Sequence, residues 1–237
     1  MNLRAAMACL VAMYCVGVVS AAAPNDASKA IVAGSELAQQ LRALRPETGF
    51  TNTGKLVIRA SKKQRWETSY TCRVVITATN WTSYYAAVRG TNALPGFSVE
   101  HRAGQANLYR DDAGTILSGR QLEVAFAGSD FWLADLGLEF FHWPEQRVLK
   151  WEMKRSMGCK VLESRNPDPQ GGYFRVLSWI HEETGGLVQA EALDARGKLV
   201  KEFRPTELEK VNGRQELKEM EIENVKTGSV TRLVFDL

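Results

Sequence analysis

The stretch "GSDFWLADLGLEFFHWPEQ", residues 128 to 146, gathers a hydroxyl, two carboxylates and an imidazole in Ser129, Asp130, Asp135 and His142. A serine nucleophile, a histidine base and an aspartate that orients it would perform acyl transfer. The spacing argues against that chemistry. Gly-Ser-Asp is not the G-x-S-x-G elbow that thrusts a serine out on a strained turn. A small polar pair ahead of an apolar run is instead the start of a short helix, with Ser129 or Asp130 capping its free amides. His142 then stands as a bystander among aromatics.

Other reactive sets are equally thin. The three histidines, His101, His142 and His181, lie roughly forty residues apart with no H-x-H or H-E-x-x-H spacing, which is no metal pattern. Glu219, Glu221 and Glu223 occupy every second position, as on a solvated sheet face, whereas glycoside hydrolysis needs two carboxylates facing each other across a cleft. "NWT" at 80 to 82 matches a glycosylation sequon and reads as a strand edge. The expectation is a protein that is not an enzyme, with no catalytic residue, no metal and no cofactor.

The elements that position these residues change character along the chain. "SKAIVAGSELAQQLRALRP" reads as a helix capped by Ser28 and closed by Pro46, with Ala30, Ala33, Leu37, Leu41 and Leu44 on one face. From Gly54 the period drops to two, and β-branched and aromatic residues dominate "KLVIRAS" and "RWETSYTCRVVITATNW", with Asn80, Gly90, Asn92, Pro95 and Gly96 as breaks. Leu149, Trp151 and Met153 alternate with Lys150, Glu152 and Lys154, and Met220 and Ile222 with the glutamates. Each such strand has one buried and one wet face. "ETGG", "DARGK", "NGR" and "KTGS" each supply a glycine for a tight hairpin, so the strands follow one another as an antiparallel meander with no room for crossover helices.

The fold class expected is therefore mainly β (α+β). It is an incomplete antiparallel β-barrel or large twisted antiparallel sheet, with an N-terminal helix and a short central helix within 129 to 138 closing its concave face. One 17-residue helix and one short segment can cover only part of so large an apolar face, so the remainder is either packed core or a cavity wall.

Met1 to Arg4, the uncharged run "AAMACLVAMYCVGVVS" and "AAAPND" have the layout of a secretory signal peptide. Residues 1–23 are assigned to it, with cleavage near Ala21 to Ala23, and 28–237 to a single domain. The run is short for a membrane span of about 20 residues. Neither Cys9 nor Cys15 is placed for lipid attachment. Of 30 Lys and Arg only Arg4 lies in the signal, leaving 29 against 27 Asp and Glu, a net of +2 that gives no reason to invoke nucleic acid. Cys72 and Cys159 remain, either as a disulfide or as two buried thiols.

With the elements in this order, the C-terminal half resembles the outer-membrane lipoprotein-sorting protein family, with the LolA-like fold of periplasmic lipoprotein carriers. "GSDFWLADL" (128 to 136), "GCKVLESRNP" (158 to 167), "YFRVLSWIHEETGGLVQAEALDARGKLVKEF" (173 to 203) and "EMEIENVKTGSVTRLVFDL" (219 to 237) carry the likeness. It covers residues 115 to 237 well, and the earlier part by the order of helix and strands. Residues 82 to 110 match no carrier motif. The resemblance implies a monomeric periplasmic carrier or chaperone that binds acyl chains of a lipid or lipoprotein between sheet and helices, with a membrane-bound donor or receptor. The alternative is an envelope protein of the same fold that binds a protein partner. Candidate cavity and lid residues are Phe131, Trp132, Leu136, Phe140, Phe141, Trp143, Trp151 and Trp66.

Overall fold

A computed structural model describes residues 27–61, 64–169, 172–211 and 214–237. The signal peptide read at 1–23 and the "NG" of the "NGR" turn lie outside the described residues.

Among the described residues helix α1 (Ala27–Ala43) precedes thirteen strands: β1 (Phe50–Ser61), β2 (Gln64–Ile76), β3 (Asn80–Arg89), β4 (Asn92–Arg102), β5 (Leu108–Asp111), β6 (Ile116–Leu117), β7 (Glu145–Lys154), β8 (Met157–Arg165), β9 (Arg175–His181), β10 (Leu187–Leu193), β11 (Leu199–Val211), β12 (Arg214–Asn224) and β13 (Ser229–Phe235). The strands form one open antiparallel sheet in the order β6-β5-β4-β3-β2-β1-β13-β12-β11-β10-β9-β8-β7. This agrees with the mainly β, unclosed antiparallel architecture expected from the sequence. Gly185, Gly197 and Gly228 hold φ of 69°, 75° and 69° in three of the expected hairpin turns.

Two hairpin meanders meet where β1 pairs β13, so β6 and β7 form opposite edges of the sheet. The chain between Leu117 and Glu145 must travel from one edge to the other, and its shortest route crosses the apolar inner face. That topology explains why this connection is so rich in aromatics. It contains α2 (Leu133–Leu136) flanked by 3-10 turns at Gly119–Glu123, Phe126–Gly128 and Glu139–His142.

The inner face is one continuous row of cross-strand neighbours. It runs Val148, Leu162, Ser178, Ala190, Phe203, Ile222, Thr231, Ile58 and Trp66, from β7 through to β2. Period-two sequence places these side chains on the same side, where the connection packs on them.

Several local expectations are corrected. Helix α1 begins by Ala27, so Ser28 lies within its first turn, and its most buried residues are Ala30, Gly34, Ala38 and Leu41. The small residues let the helix sit directly on the backbone of β7. Pro95 and Gly96 lie inside β4 and do not end it; the irregular register between Tyr85 and Ala87 absorbs them. Leu149, Trp151 and Met153 are 39%, 46% and 57% exposed. An irregularity between Val148 and Lys150 shifts the register, and this end of β7 runs on past the packed interior. The glutamate row is not simply solvated: Glu221 is buried, 2.6 Å from Arg204 and 2.9 Å from Arg232.

Cys72 and Cys159 are free and buried in separate clusters. Cys72 belongs to the main core. Cys159 packs with Val161, Trp179 and Val188, and the disulfide alternative is set aside.

Candidate functional site

The crossing segment is pinned by buried polar contacts at two points. Asp130 accepts hydrogen bonds from the Thr231 hydroxyl at 2.8 Å and from the Ser229 hydroxyl, both on β13, and its amide donates to Thr231 Oγ1 at 2.9 Å. Five residues on, Asp135 accepts from the Trp132 amide at 2.8 Å, from the Tyr173 hydroxyl at 2.9 Å and from Lys201 Nζ at 3.1 Å. Lys201 is 2% exposed, and its ammonium lies 3.6 Å from the centre of the Trp132 ring, which is itself stacked on Tyr173. Burial lowers the Lys201 pKa, an effect opposed by Asp135, and raises that of the Tyr173 hydroxyl.

These contacts correct the capping assignment. Helix α2 starts at Leu133 with Trp132 before it, and the cap is Asp135 reaching back to the Trp132 amide. Asp130 is a tether to β13. Ser129 Oγ accepts from the Phe131 amide at 3.2 Å.

Beneath the segment the interior is filled. Between it and the strands lie spaces of about 20 Å³ beside Lys201 and Phe203 and of about 10 Å³ between Leu56, Cys72 and Leu233. Each is near the size of one water.

Phe131 is fully buried and meets Phe203 edge-on at 6.1 Å. Leu136 and the paired rings of Phe140 and Phe141 are buried, and Trp132 is half-buried. Trp66 lies on the inner row at the far side, with the Arg89 guanidinium 5.5 Å from its ring centre. Trp143 lines a side pocket described below. Trp151 is not brought to this group: it sits exposed near the β7 edge, donating to Glu182 at 2.9 Å.

A sizeable opening lies beside the segment. A cleft of about 540 Å³ runs between the C-terminal half of α1, strands β3 and β4 and the turns at 136–142. Its apolar lining includes Leu41, Leu44, Trp81, Tyr85, Leu136 and Phe141. Its polar lining is basic, with Arg42, Arg45, Arg102, His101 and His142. A smaller pocket of about 250 Å³, bordered by Trp143 and Gln146, shares Arg42, Gly104, Gln105 and His142 with it.

The cleft walls are held by backbone acceptors. Arg42 donates to Phe141 O at 2.6 Å, Arg45 to Thr77 O and to Ala78 O at 3.1 Å, and Arg102 to Ala106 O at 3.0 Å. His101 stacks on Trp81 with ring centres 3.7 Å apart. Burial, then the neighbouring His142, pushes His101 down to about 3, and burial, then Arg42, pushes His142 down to about 4. Both rings are neutral near pH 7. Among the described residues no group of three His, Cys, Asp or Glu could hold a metal ion.

Arg42, Arg45, Arg102, Lys201 and Tyr173 escape the sequence reading because they come from distant segments with no shared motif. The stretch 82 to 110 supplies most of β3, all of β4 and the turn after it, and hence much of one wall of the cleft. Its mixture of Tyr85, His101 and Arg102 is the signal that could have found it.

An antiparallel sheet whose inner face is crossed by a short helical segment and flanked by an N-terminal helix defines the LolA-like class of fold. Similar solved structures include an outer-membrane lipoprotein-sorting protein domain from Vibrio parahaemolyticus, 20% identical over 90% of this chain and 92% of that one, with a TM-score of 0.69. A DUF1329 family protein from Desulfovibrio piger is 17% identical over 87% and 91%, with a TM-score of 0.68. A LolA superfamily protein from Nitrosomonas europaea is 18% identical over 89% and 91%, with a TM-score of 0.60. At such identities the likeness is one of fold. Among curated proteins none matches the chain. A family model described as "Uncharacterized protein" matches residues 85–236, and the chain belongs to that family.

Proposed function

We propose that the protein is an exported, monomeric periplasmic carrier or chaperone that shields acyl chains of a lipid or lipoprotein from water and contributes to outer-membrane lipoprotein sorting. Residues 1–23 are the signal peptide in this reading, 28–237 form one carrier domain, and a membrane-bound donor or receptor exchanges the cargo. The observation that carries the proposal is the cleft between α1 and β3–β4. Its volume of about 540 Å³ lies within the range of small-molecule sites, and leucine and aromatic side chains line much of it.

The energetics suit a carrier without chemistry. About 0.8 kcal/mol per buried methylene makes a sixteen-carbon chain cost on the order of 12 kcal/mol to leave in water. The chain enters beside α1 and rests on Leu136 and Phe141. Phe131, Trp132 and Phe140 form the lid that larger cargo displaces, with Trp143 at the adjoining pocket and Trp66 at the far side of the inner face. We assign no catalytic residue, metal or cofactor.

Native mass spectrometry of protein purified from its own periplasm is expected to show bound lipid, and a fluorescent fatty acid is expected to bind the delipidated chain. Ala43, exposed on the last turn of α1 and lining the cleft, offers a gentle way to fill it. Ala43→Trp should weaken binding about tenfold or more while leaving the melting temperature near that of the wild type. Lipid-free protein that also ignores the probe would exclude the carrier reading.

One observation favours a second reading, an envelope protein that binds a protein partner. The inner face beneath the crossing segment is packed, while Leu149, Trp151 and Met153 stand exposed together near the β7 edge. Lipid-free protein that loses a co-purifying partner on Trp151→Ser and Met153→Ser would establish it.

A further inference from the structure

Three arginines line an apolar cleft without a carboxylate among the residues that form it or its adjoining pocket. The hydrogen bonds of Arg42, Arg45 and Arg102 described above all go to backbone carbonyls, and none of the three takes part in an ion pair among the described residues. Some other cations of the chain are matched to acids, Lys201 with Asp135, Arg204 with Glu202 and Glu221, and Arg232 with Glu221, while Arg110 and Arg155 also donate to backbone carbonyls. A backbone carbonyl satisfies a guanidinium N–H but leaves its charge uncompensated.

A guanidinium has five N–H donors, so one or two carbonyl bonds leave others for a ligand. Arg102 Nε is a buried donor with no partner. His101 and His142 are neutral near pH 7 and add no charge of their own to the cleft. The low protonation tendency of His142 is partly the work of Arg42, a sign that the potential there is positive.

We propose that the cleft selects single apolar chains that end in an anionic head, a carboxylate or a phosphate, with Arg42, Arg45 and Arg102 receiving the head and Leu41, Leu136 and Phe141 the chain. This rests on the acyl-carrier reading and narrows it to a ligand class. Charge complementarity is the argument for the occupant: three guanidinium groups with no carboxylate among the lining residues favour an anionic head over an uncharged one.

The test uses the delipidated full chain and calorimetric or displacement titration with four probes of one chain length: hexadecanoate, hexadecyl phosphate, hexadecanol and hexadecyltrimethylammonium. The acid and the phosphate are expected to bind about tenfold or more tightly than the alcohol, the low end for hydrogen bonds to a charged partner, and the ammonium most weakly. Comparing the first two tells a fatty-acid source from a phospholipid one. Arg42→Gln and Arg102→Gln should each remove much of the preference while retaining alcohol binding. Arg42→Lys and Arg102→Lys should restore part of it. Equal binding of acid and alcohol by the wild type overturns this inference and leaves the carrier reading standing, with no dependence on how the variants fold. Binding of none of the four ends both.

Discussion

Lys201 on β11 and Asp135 in the crossing segment form a buried ion pair, Nζ to Oδ2 3.1 Å, beneath the stacked rings of Trp132 and Tyr173. Two ions in an apolar interior are costly to desolvate, and the Tyr173 hydroxyl and Trp132 amide meet much of what the carboxylate still requires. The pair fixes where the segment lies on the sheet, since a shift of one strand position would turn Lys201 to the other face.

Removing one partner strands the other. Lys201→Met should cost about 3–5 kcal/mol in denaturant unfolding. The double variant Lys201→Met/Asp135→Asn should recover part of that loss, giving a coupling energy above about 1 kcal/mol. Additive losses would show that the pair does not hold the segment.

Helix α1 docks through Gly34. A Cβ there would lie 2.4 Å from both the Arg147 Cα and N, which are backbone atoms that cannot swing aside. Gly34→Ala should therefore lift the helix in spite of alanine's better helix propensity, costing about 1–3 kcal/mol. Because α1 walls the cleft, lipid binding should weaken with it. Circular dichroism melts and limited proteolysis of α1 would check this.

The two cysteines should behave as buried thiols. Burial pushes Cys72 up to about 12 and raises Cys159 as well, so neither forms thiolate at ordinary pH. Dithionitrobenzoate at about pH 8 is expected to leave both untouched in the native protein and to titrate both in guanidinium. Mobility on non-reducing gels should not change on adding reductant.

Acid should destabilise the fold through His101. In the unfolded chain this ring takes up its proton near the ordinary 6.5, but in the folded chain only at about 3. Between those values the unfolded state binds more protons, so this contribution to stability is lost as pH falls from about 7 toward 3. His142, held to about 4, acts in the same direction. His101→Phe keeps an aromatic ring against Trp81. It should reduce the drop in melting temperature between about pH 7.5 and about pH 5 relative to the wild type.

The alternation of apolar and polar residues determined most of the architecture. Met220 and Ile222, at two-residue spacing, are 0% and 2% exposed, as a strand with one buried face requires, and turn glycines placed the hairpins. The same rule failed for Leu149, Trp151 and Met153, because periodicity fixes which side chains share a face but not whether anything covers that face. It was also silent on the destination of "GSDFWLADLGLEFFHWPEQ". Sequence shows the segment to be apolar and punctuated by acids. Only the pairing of β1 with β13 puts β6 and β7 at opposite edges and sends the connection across the sheet. That long-range pairing likewise brought Asp130 to Thr231, Asp135 to Lys201, and Arg42 to the same cleft as Arg102. Such partners lie tens to about a hundred residues apart, so no local spacing rule can register them. Hydrophobic periodicity is a property of neighbouring residues, whereas a buried charge pair or a basic cleft exists only once the sheet has packed against its crossing segment.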